Sequence, residues 1–349
     1  MYLREVHGLL SGAEVAATAE GIAACQLESG LILWSPGGHA DPWNHVECAM
    51  ALDVTGNRRA AERAYEFLAA AQRPDGAWHR YYTADGVEDP RLDANCTAYV
   101  AFGAWHHYLV TGDRGFLEAM WPVVEGAVRF ALGLQQPGGE ILWARHDDGT
   151  PWPFALLSSS ASIHQSLRAA TAIAAELGLE CPAWERAADR LAAAIRNNPD
   201  AFAPKDRFAM DWYYPVLAGV LEGSEARRRL AGRWDDFVID GWGVRCVADR
   251  DWVTPAETAE CTMACLAAGL SDEAQRLFEW SQRQRDSDGA YWTGTVLPQQ
   301  HRFPPGEKAT YSAAAQLLAA DALTATTPAS HHLTRQAPAL APPTPIQRA

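Results

Sequence analysis

Five carboxylates, Asp41, Asp93, Asp211, Glu257 and Glu260, stand at or just inside segments that read as helix starts. Two carboxyl groups about 5–10 Å apart, one on each side of a glycosidic bond, can act on it as general acid and general base. His45 and His164 offer a second route, proton transfer near neutral pH of the kind an epimerase uses. Around them stand groups suited to holding a small-molecule substrate. Trp43, Trp143, Trp152 and Trp212 have flat faces for stacking, and Asn44, Asn95, Tyr213 and Tyr311 carry hydrogen-bonding heads. Neither an HExxH pair, a clustered Cys/His set, a calcium loop nor a phosphate-cradling glycine loop occurs, so no metal ligand and no cofactor is expected.

Six stretches of similar character must place these groups: DPWNHVE (41–47), LDANCTAY (92–99), SSSASIHQSL (158–167), AMDWYYPV (209–216), TPAETAEC (254–261) and EKATYSAA (307–314). Capping accounts for part of the pattern. Asp41 before Pro42, Asp93, Thr254 and the serines at 158–160 suit an N-cap, each contributing about 1 kcal/mol. Caps do not require His, Asn, Tyr and Trp in the turn that follows. A helix inside a pure core would be apolar all round. The six starts are therefore read as the mouth of one polar, aromatic-walled pocket.

Apolar spacing of three and four predicts twelve helices, at 12–28, 42–54, 57–72, 93–110, 113–133, 159–177, 182–197, 210–221, 224–232, 255–269, 271–285 and 308–324. Strand signals are confined to pieces near 139–144, 242–248 and 290–296. Very short turns (54–57, 111–113, 177–180, 222–224, 269–272) alternate with long connections. Short turns join antiparallel neighbours. The pattern predicts an all-α (α/α)6 toroid of six hairpins, with six inner helices and all long loops on one face. Residues 1–325 form its single domain, and the Pro-, Ala- and Thr-rich tail 326–349 is expected to be disordered. Three segments, 62–78, 127–143 and 274–292, share a helix ending in Gln, a turn with Gly, and a Trp. The Gln is expected to bond carbonyls freed at a helix end.

The 349 residues are 48% hydrophobic and 21% charged, with a formal net charge of -14. That balance excludes nucleic-acid binding through a broad basic surface. No apolar run approaches the 18 residues of a membrane span, and the start carries no signal-peptide pattern. The seven cysteines, without a CxxC, read as reduced thiols of a cytoplasmic protein. Nothing specifies an oligomeric state.

The chain up to about 324 resembles the α/α-toroid superfamilies, and two branches compete. The segment 98–132, with its TGD, WP and A..F features, and the hairpin 51–78 resemble the six-hairpin, glucoamylase-like glycosidases. That likeness implies a hydrolase acting on a carbohydrate with two carboxylates at the toroid mouth. The glutamate that such enzymes carry entering the fifth or sixth helix has no counterpart in WPFALLSSSASIHQSL (152–167). The Gln…Gly-x-Trp units resemble the QW repeats of terpenoid cyclases, and the ending near 306–323 resembles prenyltransferase-like toroids of actinobacteria. That likeness implies an isoprenoid substrate, although the DxDD acid motif and the zinc set are absent. A non-catalytic binding toroid is the third reading.

Overall fold

The computed structural model describes residues 1–334. The inner helices are α2 (Pro42–Val54), α4 (Ala94–Thr111), α6 (Leu157–Leu177), α8 (Ala209–Leu217), α11 (Pro255–Ala267) and α13 (Thr310–Thr324). The outer ones are α1 (Gly12–Ala24), α3 (Arg58–Ala71), α5 (Arg114–Leu132), α7 (Pro182–Asn197), α9 (Gly223–Ala231) and α12 (Ser271–Ser281). A single turn, α10 (Trp234–Phe237), follows α9, and a short α14 (Ser330–Thr334) follows α13. The inner helices pack side by side in a closed cycle, α2 to α4, α6, α8, α11, α13 and back to α2. This is the all-α toroid that the alternation of short and long connections predicts.

Composition decides the layer. Alanine, glycine and other small residues fill α4 on all faces, so nearly every position from Ala94 to Ala104 is buried. The outer α3 buries one stripe only, Ala61, Ala64, Tyr65 and Leu68, with arginines and glutamates facing water. Tight turns reverse the chain between the layers. Gly112 takes the left-handed conformation at the end of α4, and Asp113 then caps α5 by accepting from the amide of Phe116 at 3.0 Å.

The repeated Gln…Gly units dock each outer helix on the next. Gln72 donates to the carbonyl of Gly76 within its own turn at 3.0 Å and to that of Val123 on α5 at 2.8 Å. Gln135 does the same with Gly139 (2.9 Å) and with Ala187 on α7 (3.0 Å). A unit that the sequence reading overlooks, Gln26 to Trp34, bonds Gly30 (3.0 Å) and Ala60 on α3 (2.9 Å). In the last unit Arg285, rather than the expected Gln284, takes this place and donates to Glu14 of α1. Gln284 turns inward, donating to the Val253 carbonyl at 3.2 Å. The last outer helix thus returns to the first. The remaining two junctions use arginines: Arg196 donates to the Val220 carbonyl at 2.8 Å, and Arg227 to that of Ala268 at 2.9 Å.

The long connections carry small antiparallel sheets. They pair β1 (Tyr81–Thr83) with β2 (Gly86–Asp89), β3 (Leu92–Asp93) with β4 (Ala144–Arg145), and β5 (Val238–Ile239) with β6 (Gly243–Val244). A three-stranded sheet joins β7 (Trp252–Val253), β8 (Thr295–Val296) and β9 (His301–Arg302). The hairpin β1–β2 falls where no strand was expected. A bridge from Tyr82 to Ala40 ties it to the loop before α2.

The segment expected to be disordered from 326 is folded as far as Thr334; residues 335–349 lie outside the described part. Asp321, fully buried near the end of α13, accepts from the amide and hydroxyl of Thr327 at 2.9 and 2.7 Å. This turns α14 back onto the toroid, where His332 stacks on Phe102 at 4.0 Å. Burial pushes the Asp321 carboxyl from its ordinary 3.8 up to about 6. The folded state therefore holds its proton more tightly than the unfolded state, and stability falls as pH rises through this window. The expected cost of ionisation is about 3 kcal/mol. Melting temperatures of Asp321→Asn between pH 4 and 7.5 should lack that part of the decline; an unchanged profile would show that this carboxyl does not contribute.

Candidate active site

The N-termini of the inner helices open on one cleft with two lobes. The first, about 310 Å3, is lined by Asp41, Asp93, Arg80, Tyr81, Asn95, Cys96, Trp143 and Ser158. The second, about 210 Å3, is lined by Glu47, Glu257, Glu260, Trp252, Thr254, Thr293 and Tyr311. Trp34, Trp43, Asn44 and Met210 line both and form the waist between them. The Trp34 ring stands edge-on to Tyr81 of the first lobe (5.7 Å between centroids) and to Tyr311 of the second (5.1 Å).

Two capping residues build the first lobe. Asp41 caps α2, accepting from the Asn44 amide at 3.0 Å through Oδ1 and from Trp34 Nε1 at 2.9 Å through Oδ2. Asp93 caps α4, accepting from the amides of Asn95 and Cys96 at 2.8 and 3.1 Å through Oδ1. The Cys96 thiol reaches Asp41 Oδ1 at 3.8 Å. Burial pushes both carboxyls above the ordinary aspartate value, while helix-end amides and the Arg80 charge pull the other way. Arg80 lies over the rings of Tyr81 (4.7 Å) and Trp143 (5.4 Å), which hold its charge at the cleft wall.

The second lobe belongs to α11 and α2. Glu257 is half-buried one turn into α11 and takes the hydroxyl of Thr254. Glu260, one turn deeper, takes the hydroxyl of Tyr213. Burial raises the Glu260 carboxyl, and the Glu257 charge adds to it. Glu47 lies across the floor. Burial pushes it well above the ordinary glutamate value, and so do the charges of Glu260 and Asp41.

Of the residues expected to do chemistry, Asp41, Asp93, Glu257 and Glu260 line this cleft, and so do Trp43, Asn44, Asn95, Trp143 and Tyr311. The others are corrected by helical rotation. His45 follows Asn44 by one step of about 100° and faces the outer layer. Its Nδ1 accepts from the Ile32 amide at 3.0 Å, and its Nε2 contacts the Ala64 carbonyl at 2.9 Å. Burial lowers it to about 4, so it stays neutral and structural. His164 opens on a groove between α6 and α7, away from the mouth, with Nδ1 3.3 Å from the Ala218 carbonyl. On α8, Met210 is the residue at the cleft. Asp211 points aside and accepts from the Ser158 amide at 3.2 Å, tying α8 to α6. Trp212 is buried on the outer side, stacked on Phe237 and donating to the Arg229 carbonyl at 2.9 Å. Tyr213 stands behind Glu260, and Trp152 packs edge-on against Trp143 at 5.0 Å without lining either lobe.

Sequence reasoning missed Glu47, Arg80, Tyr81, Cys96 and Met210, whereas Trp34 and Trp252 belong to the loop tryptophans that point to an aromatic-walled cleft. Glu47 had a signal, since it lies three residues past Asn44 on the same helix face, as Glu260 lies three past Glu257. Arg80 and Tyr81 had none, because they reach the cleft through a hairpin that the sequence does not announce.

No protein-family model matches the chain. It is 49% identical over 323 residues to the MMP endo-(1,4)-3-O-methyl-alpha-D-mannosidase of Mycolicibacterium hassiacum, an alignment that covers 93% of this chain and 89% of that one. An uncharacterized glycosyl hydrolase of Methanocaldococcus jannaschii is 34% identical over 114 residues, 30% of this chain and 18% of its own. Among solved structures, a glycosidase superposes with a TM-score of 0.71 at 18% identity, covering 90% of this chain and 99% of its own. A D-mannose isomerase superposes with a TM-score of 0.67 at 11% identity, covering 88% and 96%. At those identities the structural likenesses show the fold. The mannosidase, which aligns with nearly the whole chain, decides between the two resemblances read from the sequence. The chain belongs to the family of that mannosidase, and it is a glycoside hydrolase-like enzyme on a six-hairpin toroid.

Proposed function

We propose that the protein hydrolyses internal α-1,4 bonds in a polymer of 3-O-methylated mannose, with Asp41 and Glu257 as the acid and base. The near full-length likeness to a mannosidase of that named specificity carries the reading. The cleft supports it in two ways. Lobes on both sides of the Trp34–Trp43 waist accommodate sugar residues on both sides of a scissile bond, as internal cleavage requires. Tryptophan, methionine and alanine in the lining also suit a sugar whose hydroxyls are partly capped by methyl groups.

The division of labour follows from the lobes. Asp41, raised by burial, keeps a proton for the leaving oxygen. Glu257, in the opposite lobe and half-exposed, activates a water on the other face of the sugar ring. Asp93 and Arg80 set the charge around Asp41. Attack from the face opposite the leaving group inverts the anomeric centre. The test is incubation with a defined α-1,4-linked 3-O-methylmannose oligosaccharide, with product lengths read by mass spectrometry and first-formed anomers by NMR. Shorter oligomers with β-configured new ends are expected. Release of single sugars from one end only would sink internal cleavage, and α-configured ends would sink the assigned roles.

A further inference from the structure

Glu47 of α2 and Glu260 of α11 line both the second lobe of the cleft and a small cavity of about 20 Å3 next to it, room for a single water. Each is only 7% exposed. Among the described residues, the groups that line the two cavities with them supply no lysine or arginine charge. Tyr99 of α4 and Tyr213 and Tyr214 of α8 offer hydroxyls, and Gln165 of α6 an amide. Glu257 adds negative charge, and so does Asp41 whenever it gives up its proton. The thiols of Cys48, Cys246 and Cys261 are themselves pushed up by burial and stay neutral. Among the described residues of α13 and α14, Ala315, Leu318 and Leu333 line the cavity, and His332 stands behind it, stacked on the lining Phe102. Arg80 acts on Asp41 and Asp93, in the other lobe. Two buried carboxylates without a cation cannot both ionise at moderate cost, so one proton remains between them.

We propose that Glu47 and Glu260 share this proton and present a neutral O–H donor at the floor of the second lobe, which lets the site bind a substrate oxygen that can only accept, such as that of a methoxyl group. A sugar hydroxyl donates or accepts; an ether oxygen only accepts. Two ionised carboxylates are acceptors only and would repel an ether oxygen. A pair holding one proton donates to it, and a binding site that leaves such a group unmatched rejects its ligand. The pair thus admits O-methylated as well as free sugars while it holds the proton, and turns against the methylated ones once both carboxylates are ionised. This rests on the reading of the cleft as a mannoside site.

The experiment measures kcat and KM for matched methylated and unmethylated α-1,4-manno-oligosaccharides from pH 5 to 9, in the native protein and in Glu260→Gln. Any change in the catalytic step itself affects both substrates and cancels in the ratio of their kcat/KM values. In the native protein the preference for the methylated substrate should fall about tenfold as pH rises and the shared proton is lost, with the change in KM. In Glu260→Gln the amide donates at every pH, so the preference should persist and become flat. A preference that is flat in the native protein while hydrolysis is intact would overturn the inference and leave the cleft reading standing. The same pH-dependent fall in Glu260→Gln would also overturn it. Hydrolysis of neither substrate would overturn the cleft reading and this inference with it.

Discussion

Replacing Glu257 by Gln should reduce kcat on the methylated oligosaccharide by about 10^3-fold or more, and Asp41→Asn should do so to a similar extent, with little change in melting temperature. The structural part of the expectation comes from what each side chain does besides chemistry. Asn caps a helix as well as Asp does and keeps an oxygen for the Asn44 amide, so the structural cost is confined to the one bond from Trp34 Nε1 to the second oxygen. Glu257 is half-exposed and held by one hydroxyl, which an amide oxygen still accepts. The two variants should differ in a way that structural damage would not produce. A mannoside whose leaving group departs without protonation should restore much of the rate of Asp41→Asn and none of that of Glu257→Gln. Restoration in Glu257→Gln instead would exchange the roles of acid and base. Retained activity in both variants would move the chemistry to Asp93.

Gly76→Ala should be the most disruptive single-methyl change in the ring. A Cβ at Gly76 would lie 2.1 Å from the carbonyl oxygen of Gly126 and 2.4 Å from its carbon, both backbone atoms of α5. With φ at +87° the residue is also in the left-handed region that favours glycine. The two helices must separate or the turn must rebuild, with an expected loss on the order of 3–5 kcal/mol, roughly 6–15 °C in melting temperature for a domain of this size. Gly149→Ala is the matched comparison. Its φ is +93° and nothing lies within 4 Å, so it pays only for the backbone, about 1 kcal/mol. Equal effects in the two variants would show that close approach between the outer helices contributes little.

The fold was legible because its signals are local and repeated. Small residues on every face of α4 against a single stripe on α3 separate inner from outer helices, and turns such as Gly112–Asp113 fix antiparallel pairing. The cleft lining was legible wherever a lining residue doubled as a cap, as Asp41 and Asp93 do. It was misread wherever neighbours in sequence were assumed to share a face. Asn44 and His45, or Met210 and Asp211, are adjacent in the chain and point to different layers. Glu47 lies beyond the capping turn, where no cap signal marks it, although the step of three from Asn44 continues the same face. Arg80 and Tyr81 depend on a hairpin whose pairing with Ala40 is a tertiary contact, and no local pattern encodes it.

The return of the last outer turn to α1 has a thermodynamic meaning. Gly289 packs against the backbone of Ala17 and Thr18, the Thr18 hydroxyl donates to the Gly289 carbonyl at 2.7 Å, and Arg285 holds Glu14. A linear stack of helical hairpins has two terminal units, each with one neighbour, and it melts inward from them by successive nearest-neighbour steps. A closed ring has no terminal unit. Every hairpin loses two interfaces when it leaves, so partial opening is costly everywhere and the ring unfolds in one cooperative event. Cutting the Arg285–Gly289 clasp would turn the circle into a stack, and the sign would be a broadened melting transition in which α1 and α12 exchange their amide protons first.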